Sequence, residues 1–197
     1  MTARTSHLLI IFSAFLAGLV LFLGVILFVS HYQGTGPGAS AVGGPFKLID
    51  QNGKPITDQD MKGRPFLVFF GYTHCPDICP TTLFDMSEVL RALGRDADKI
   101  GALFITIDPD RDKPATMKDY LSSFDPHLVG VTGDDKAIDA VEKSYRVYAK
   151  KVPGEHGDYS MDHTALVYLM DKQGRFVAPF KLDRKPEAAA ADLRKYM

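Results

Sequence analysis

Hydrophobic and polar positions divide the chain into three regimes. From Leu8 to Val29 no residue carries a charge and apolar side chains dominate, with His7 and His31 at the borders. At about 1.5 Å per residue such a helix can cross the hydrocarbon core of a bilayer, so residues 8–29 are expected to span a membrane. Residues 33–45 are uncharged and rich in Gly, Ala and Ser, with two prolines, which suits a flexible linker rather than a packed element. Beyond Pro45, short apolar runs alternate with stripes at helical spacing, and about 150 residues remain, enough for one domain with its own core.

Within that domain, Phe46–Asp50 alternates as a short strand, and Gln51–Lys54, with Gly53, reads as a turn into Pro55 and Ile56. Phe66 to Phe70 form an unbroken apolar run inside a buried-strand candidate, Pro65–Tyr72. From Pro80, Leu83, Met86, Leu90 and Leu93 recur at helical spacing until Gly94 stops the helix, so Met86 is read as core rather than as a metal ligand. Ile100–Ile107 predicts a second buried strand, Pro114–Phe124 a helix, Leu128–Val131 a strand and Asp134–Tyr145 another helix. Tyr145–Val152 is a further extended run, Pro153–Met161 a polar loop containing His156, and Thr164–Met170 a strand that turns through Asp171–Gly174 into antiparallel Phe176–Phe180. Pro186 opens a last helix through Leu193. Alternating strands and helices predict an α/β architecture with parallel pairing, compatible with an elaborated thioredoxin-like fold behind an N-terminal transmembrane helix.

Charge adds an orientation and one exclusion. Arg4 precedes the apolar run and the next basic residue is Lys47, so the positive-inside rule keeps the N-terminus cytoplasmic and the domain outside. The only small-x-small cleavage candidate, Ala39 to Ala41, lies well beyond the run, which favours an uncleaved anchor over a removed signal. A net charge of -1 without a basic stripe gives no argument for a nucleic-acid partner.

The chemistry concentrates in F-F-G-Y-T-H-C-P-D-I-C-P, residues 69–80, which holds Cys75 and Cys79, the two cysteines of the chain. Three residues separate them, so a short turn can bring both sulfurs to one metal ion or join them as a disulfide, structural or redox-active. If Cys79 sits near an N-cap with Pro80 at the first helical position, exposed amides and the helix dipole lower the thiol pKa values. Asp108, Asp110 and Asp112 alternate in a loop after the second buried strand, but without the glycine and terminal glutamate of a calcium loop. Among the histidines, His74 reads as orienting or solvent-facing, His127 beside Pro126 as surface, and His163, on spacing alone, as an ordinary strand-end residue. Met161 reads as packing, and Asp77 as a residue able to repel anions or raise the thiol pKa.

Three segments, G-Y-T-H-C-P-D-I-C-P from Gly71, T-I-D-P-D-R-D from Thr106 and D-H-T-A-L-V-Y-L-M-D from Asp162, occur in an order that resembles the Sco/SenC family of membrane-anchored copper proteins. The resemblance implies that the domain over residues 46–197, which hydropathy and composition set behind an anchor at 1–32 and a linker at 33–45, is thioredoxin-like. It implies one copper held by Cys75, Cys79 and His163, and a role as a metallochaperone in assembling the copper centre of cytochrome c oxidase. The implied partners are the oxidase's copper-receiving subunit, with periplasmic copper carriers or thiol reductants. The implied location is the inner membrane with the domain in the periplasm, ahead of the mitochondrial inner membrane. Two thiolates and an imidazole form a soft set suited to Cu(I) that also holds Cu(II), whereas structural zinc normally closes with four protein donors.

Competing readings use the same residues. A thiol-disulfide oxidoreductase that keeps the oxidase's copper-site cysteines reduced needs only Cys75 and Cys79 as its catalytic redox pair. The C-x-x-x-C spacing, and the lack of the proline that thioredoxins place opposite the redox turn, count against a general one. A membrane-linked redox or copper sensor would use the same ligands. A peroxidase, suggested by C-P-T at Cys79, lacks the threonine three residues upstream, where Pro76 stands.

Overall fold

The computed structural model describes residues 3–32 and 42–197, with side chains of the first helix described for residues 12–28. The chain separates into two compact units, Met1–Ala39 and Ser40–Met197. The first unit contains α1 (Ala3–Tyr32), whose described side chains are apolar or small and exposed. Among the described residues no helix is long and apolar enough to cross a membrane. The crossing expected over 8–29 extends past the window of described side chains, and the linker expected over 33–45 falls mostly on residues 33–41, outside the described residues. The side chains of His7, His31 and His156 also lie outside them.

The second unit is built on a seven-stranded sheet in the order β2-β1-β5-β4-β3-β8-β9. Its strands are β1 (Lys47–Asp50), β2 (Pro55–Thr57), β3 (Phe66–Gly71), β4 (Gly101–Thr106), β5 (Leu128–Thr132), β8 (Val167–Met170) and β9 (Phe176–Pro179). As the continuous apolar runs require, β3 and β4 are buried at every position, and β3, β4 and β5 pair in parallel. β1 and β8 flank them antiparallel. Helix α2 (Ile78–Leu93) packs against α5 (Pro186–Arg194), α3 (Pro114–Leu121) against β5, and α4 (Asp135–Tyr145) against β1. Leu83, Met86, Leu90 and Leu93 of α2 are buried with Phe66, Phe69, Phe70 and Phe104, so Met86 belongs to the core as expected. Burying each such large side chain contributes about 1.5–3 kcal/mol. Gly94 ends α2 at φ +59, a conformation that side chains with a Cβ rarely adopt.

Two expectations are corrected. Pro153–Met161 is a loop only over 154–158: β6 (Ala149–Pro153) and β7 (Tyr159–His163) form a separate two-stranded antiparallel sheet on either side of it. The extended run expected over Tyr145–Val152 is present in part as β6, whereas β7, whose residues are at most partly buried, lacks the apolar run that would reveal it in the sequence. The following strand begins at Val167, not Thr164, so His163 ends a hairpin rather than opening a strand of the main sheet. Parallel pairing in register, Gly71 opposite Thr106, puts the loops after β3 and β4 side by side at the C-terminal ends of the strands. Ligand sites in open α/β sheets form at that edge.

Candidate metal centre

Gly71 closes β3 where the chain must pass very near a sulfur: a Cβ there would lie 2.7 Å from Cys79 Sγ and 2.9 Å from Phe104 Cε2. The turn that follows is tied down by Asp112, which is fully buried. Thr73 donates to it twice, from N to Oδ2 at 3.0 Å and from Oγ1 to Oδ1 at 2.5 Å, and Thr106 Oγ1 donates to Oδ2 at 2.6 Å. The carboxylate of one loop thus holds the start of the cysteine turn on the other.

The helix begins two residues earlier than expected. Asp77 is the N-cap, without a side-chain cap bond, and Ile78 and Cys79 are the first two helical residues. Pro80 then falls at the third position, where its missing N–H is one of the donors a first turn leaves unpaired anyway. Cys79 N–H donates to Cys75 Sγ at 3.4 Å, so a helix-terminal amide faces the first sulfur. The expected lowering of thiol pKa fails at Cys79. Burial pushes that thiol well up, aided by Cys75 and by the charge of Asp112, while the Tyr72 amide pulls the other way. The dipole of one helix end does not outweigh full desolvation of the sulfur.

His163 reaches the pair from the end of β7. Its Nδ1 lies 3.0 Å from the Thr164 carbonyl oxygen, which can only accept, so Nδ1 carries the proton and Nε2 presents its lone pair. Nε2 lies 3.5 Å from Cys79 Sγ. The Tyr72 ring meets the imidazole edge-on at 6.0 Å and Phe69 lies at 6.4 Å, walling it from bulk water. Burial lowers its pKa, which keeps the ring neutral and able to bind metal. The ligand atoms of Cys75, Cys79 and His163 all lie within 4.8 Å of one another, and both cysteines are free thiols. Two soft sulfurs and one imidazole, with no fourth side-chain donor among the described residues, fit a low-coordinate soft ion.

The other candidates lie outside this cluster. His74 is exposed and contacts Thr73 Oγ1 through Nδ1 at 3.1 Å. His127 is engaged by Asp125 and Asp98. Met161 packs against the core, and Asp77 is exposed at the helix start. Asp112, Thr73 and Gly71 are functional supports that residue-type reasoning passed over, although the motifs containing them were in view.

A family model described as SCO1/SenC matches residues 34–197. The chain belongs to the SCO1/SenC family. Among solved structures this Sco chain is similar to Bradyrhizobium japonicum ScoI with copper bound, at 68% identity and a TM-score of 0.78, covering 79% of this chain and 99% of that one. It is 41% identical over 148 residues to the SCO2-like protein of Rickettsia felis, covering 74% of this chain and 72% of the relative. It is also 41% identical over 163 residues to the mitochondrial SCO1 homolog of Mus musculus, covering 81% of this chain and 57% of that protein. The thioredoxin-like α/β fold of the Sco family is therefore the fold of this domain. Copper-bound structures occur among its homologues, and its Cys-Cys-His group can hold such an ion.

Proposed function

We propose that this chain is a membrane-anchored copper chaperone that carries one copper on Cys75, Cys79 and His163 and assists assembly of the copper centre of cytochrome c oxidase. The observation that carries the reading is the convergence of two thiol sulfurs and the unprotonated Nε2 of His163 within 4.8 Å, joined to membership of a family with copper-bound structures. Copper here is cargo: a three-donor set leaves coordination open for a receiving ligand, as transfer requires. The domain would comprise residues 46–197, linked through 33–45 to an anchor at 1–32.

The anchor reading rests on the uncharged run 8–29 and on Arg4 before it. It places the domain in the periplasm, so protease added to intact spheroplasts is expected to digest residues beyond Tyr32. Protection of the domain until the membrane is lysed would reverse the orientation.

A second reading, reduction of the oxidase's copper-site cysteines, is favoured by the two adjacent free thiols. Against it, the position facing the redox turn holds His163 rather than the proline that thioredoxins place there. His163→Ala separates the two, because it keeps both thiols and removes the third donor. The variant is expected to reduce a model disulfide and yet fail to restore oxidase activity in a deletion strain at limiting copper. Full rescue would make thiol reduction the essential activity.

A further inference from the structure

We infer that Arg111 is a positioning residue for His163, holding the β6–β7 hairpin against the domain so that the imidazole faces the cysteines; this rests on the copper-site reading above. Among the described residues the hairpin pairs only with itself, and isolated two-stranded hairpins are marginal in water. Its strand β7 alternates partly buried Tyr159, Met161 and His163 with exposed Ser160 and Asp162, so one face carries the ligand and the contacts that seat it.

Arg111 sits under that face. Its guanidinium carbon lies 3.7 Å from the centroid of the Tyr159 ring, and Nη1 donates to the Tyr159 carbonyl at 3.0 Å and to Asp158 at 3.3 Å. On the domain side, Nε donates to Asp108 Oδ2 at 2.5 Å, and Asp108, only 1% exposed, also accepts from Tyr159 Oη at 2.8 Å. Asp108, Arg111 and Tyr159 thus close a ring between the loop after β4 and the hairpin. The guanidinium also lies 5.8 Å from the Tyr72 ring, which packs edge-on against His163. The neighbouring Lys151–Asp110 pair is about half exposed on both sides and contributes little holding force. Arg suits this place because its flat cation stacks on a ring while its fork bonds two acceptors, which a lysine ammonium cannot do at once.

Arg111→Lys keeps a cation beside Asp108 but loses the stack and fork, and Tyr159→Leu keeps the Arg111–Asp108 pair and the bonds to the Tyr159 carbonyl and Asp158 but removes the stacked ring and its hydroxyl bond to Asp108. In the metal-free full chain, each is expected to speed hydrogen exchange at the amides of 159–163 at least tenfold while leaving β3 and β4 unchanged. Each should weaken Cu(II) binding at least fivefold in the parent, and less than twofold in a His163→Ala background. Equal losses in both backgrounds, or unchanged exchange at 159–163, would overturn the assignment. If His163→Ala alone leaves Cu(II) binding intact, the ligand reading fails instead, and the exchange data on metal-free protein still decide whether Arg111 seats the hairpin.

Discussion

Replacing Cys79 by serine is expected to weaken Cu(I) binding by more than about a hundredfold, beyond the ten- to hundredfold that loss of an outer-shell partner costs. Cys79 is fully buried, so the hydroxyl would face the ion without the charge or polarisability of a thiolate and without water to compensate. His163→Ala removes a borderline donor instead: two thiolates still satisfy Cu(I), whereas Cu(II), which favours nitrogen ligands in a more tetragonal set, loses most. The pH dependence follows from the same groups. Burial raises the Cys79 thiol pKa, so loading must displace its proton and Cu(I) affinity rises with pH. The His163 pKa is lowered, so proton competition at the imidazole sets in only at acid pH. Competition titrations at pH 6, 7 and 8 should show a steeper rise for the parent than for Cys79→Ser, by about one proton. Parallel slopes, or unchanged Cu(II) affinity in His163→Ala, would remove the respective residue from the site.

What could be read from residues alone was what local periodicity encodes. The apolar run Phe66–Phe70 and the stripe Leu83, Met86, Leu90 and Leu93 can satisfy their burial in one way, and the structure buries them so. The two cysteines were conspicuous because a pair at a strand–helix turn is rarely neutral. His163 was not legible on spacing: it lies 84 residues from Cys79, and what brings it there is a hairpin whose first strand is nearly all exposed. Only the family resemblance singled it out. The thiol pKa expectation failed because helix-end electrostatics can be argued from sequence, whereas the depth of a sulfur in the core cannot. Asp108 and Asp112 read only as alternating aspartates of a loop, yet both are buried and bonded. Alternating aspartates give no sign of which will turn inward, because that depends on the neighbouring strand's register.

Asp112 carries the largest expected effect on stability. Asp112→Ala would strand the Thr73 amide and the Thr73 and Thr106 hydroxyls, three donors now bonded to one carboxylate, Thr106 fully and Thr73 partly buried. At about 1–3 kcal/mol for each buried group left unpaired, partly offset where a hydroxyl turns to another acceptor, the loss should be about 3–5 kcal/mol. Thr106 Oγ1 also accepts from Asp108 N at 2.9 Å, so the damage extends towards the clamp on the hairpin. Asp112→Asn keeps the shape and one acceptor and should lose far less. Its penalty should also depend on pH. Burial raises the Asp112 pKa in spite of the bonds from Thr73 and Thr106, so the folded state binds that proton more tightly than the unfolded chain. Stability from this group is thus full below the unfolded pKa and declines as pH rises through the folded one, and the parent's advantage over Asp112→Asn should shrink over that interval. Urea unfolding of both variants between pH 3 and 7 measures this. An alanine loss under about 1 kcal/mol would mean that Asp112 does not hold the cysteine turn, and metal affinity in that variant should then be unchanged as well.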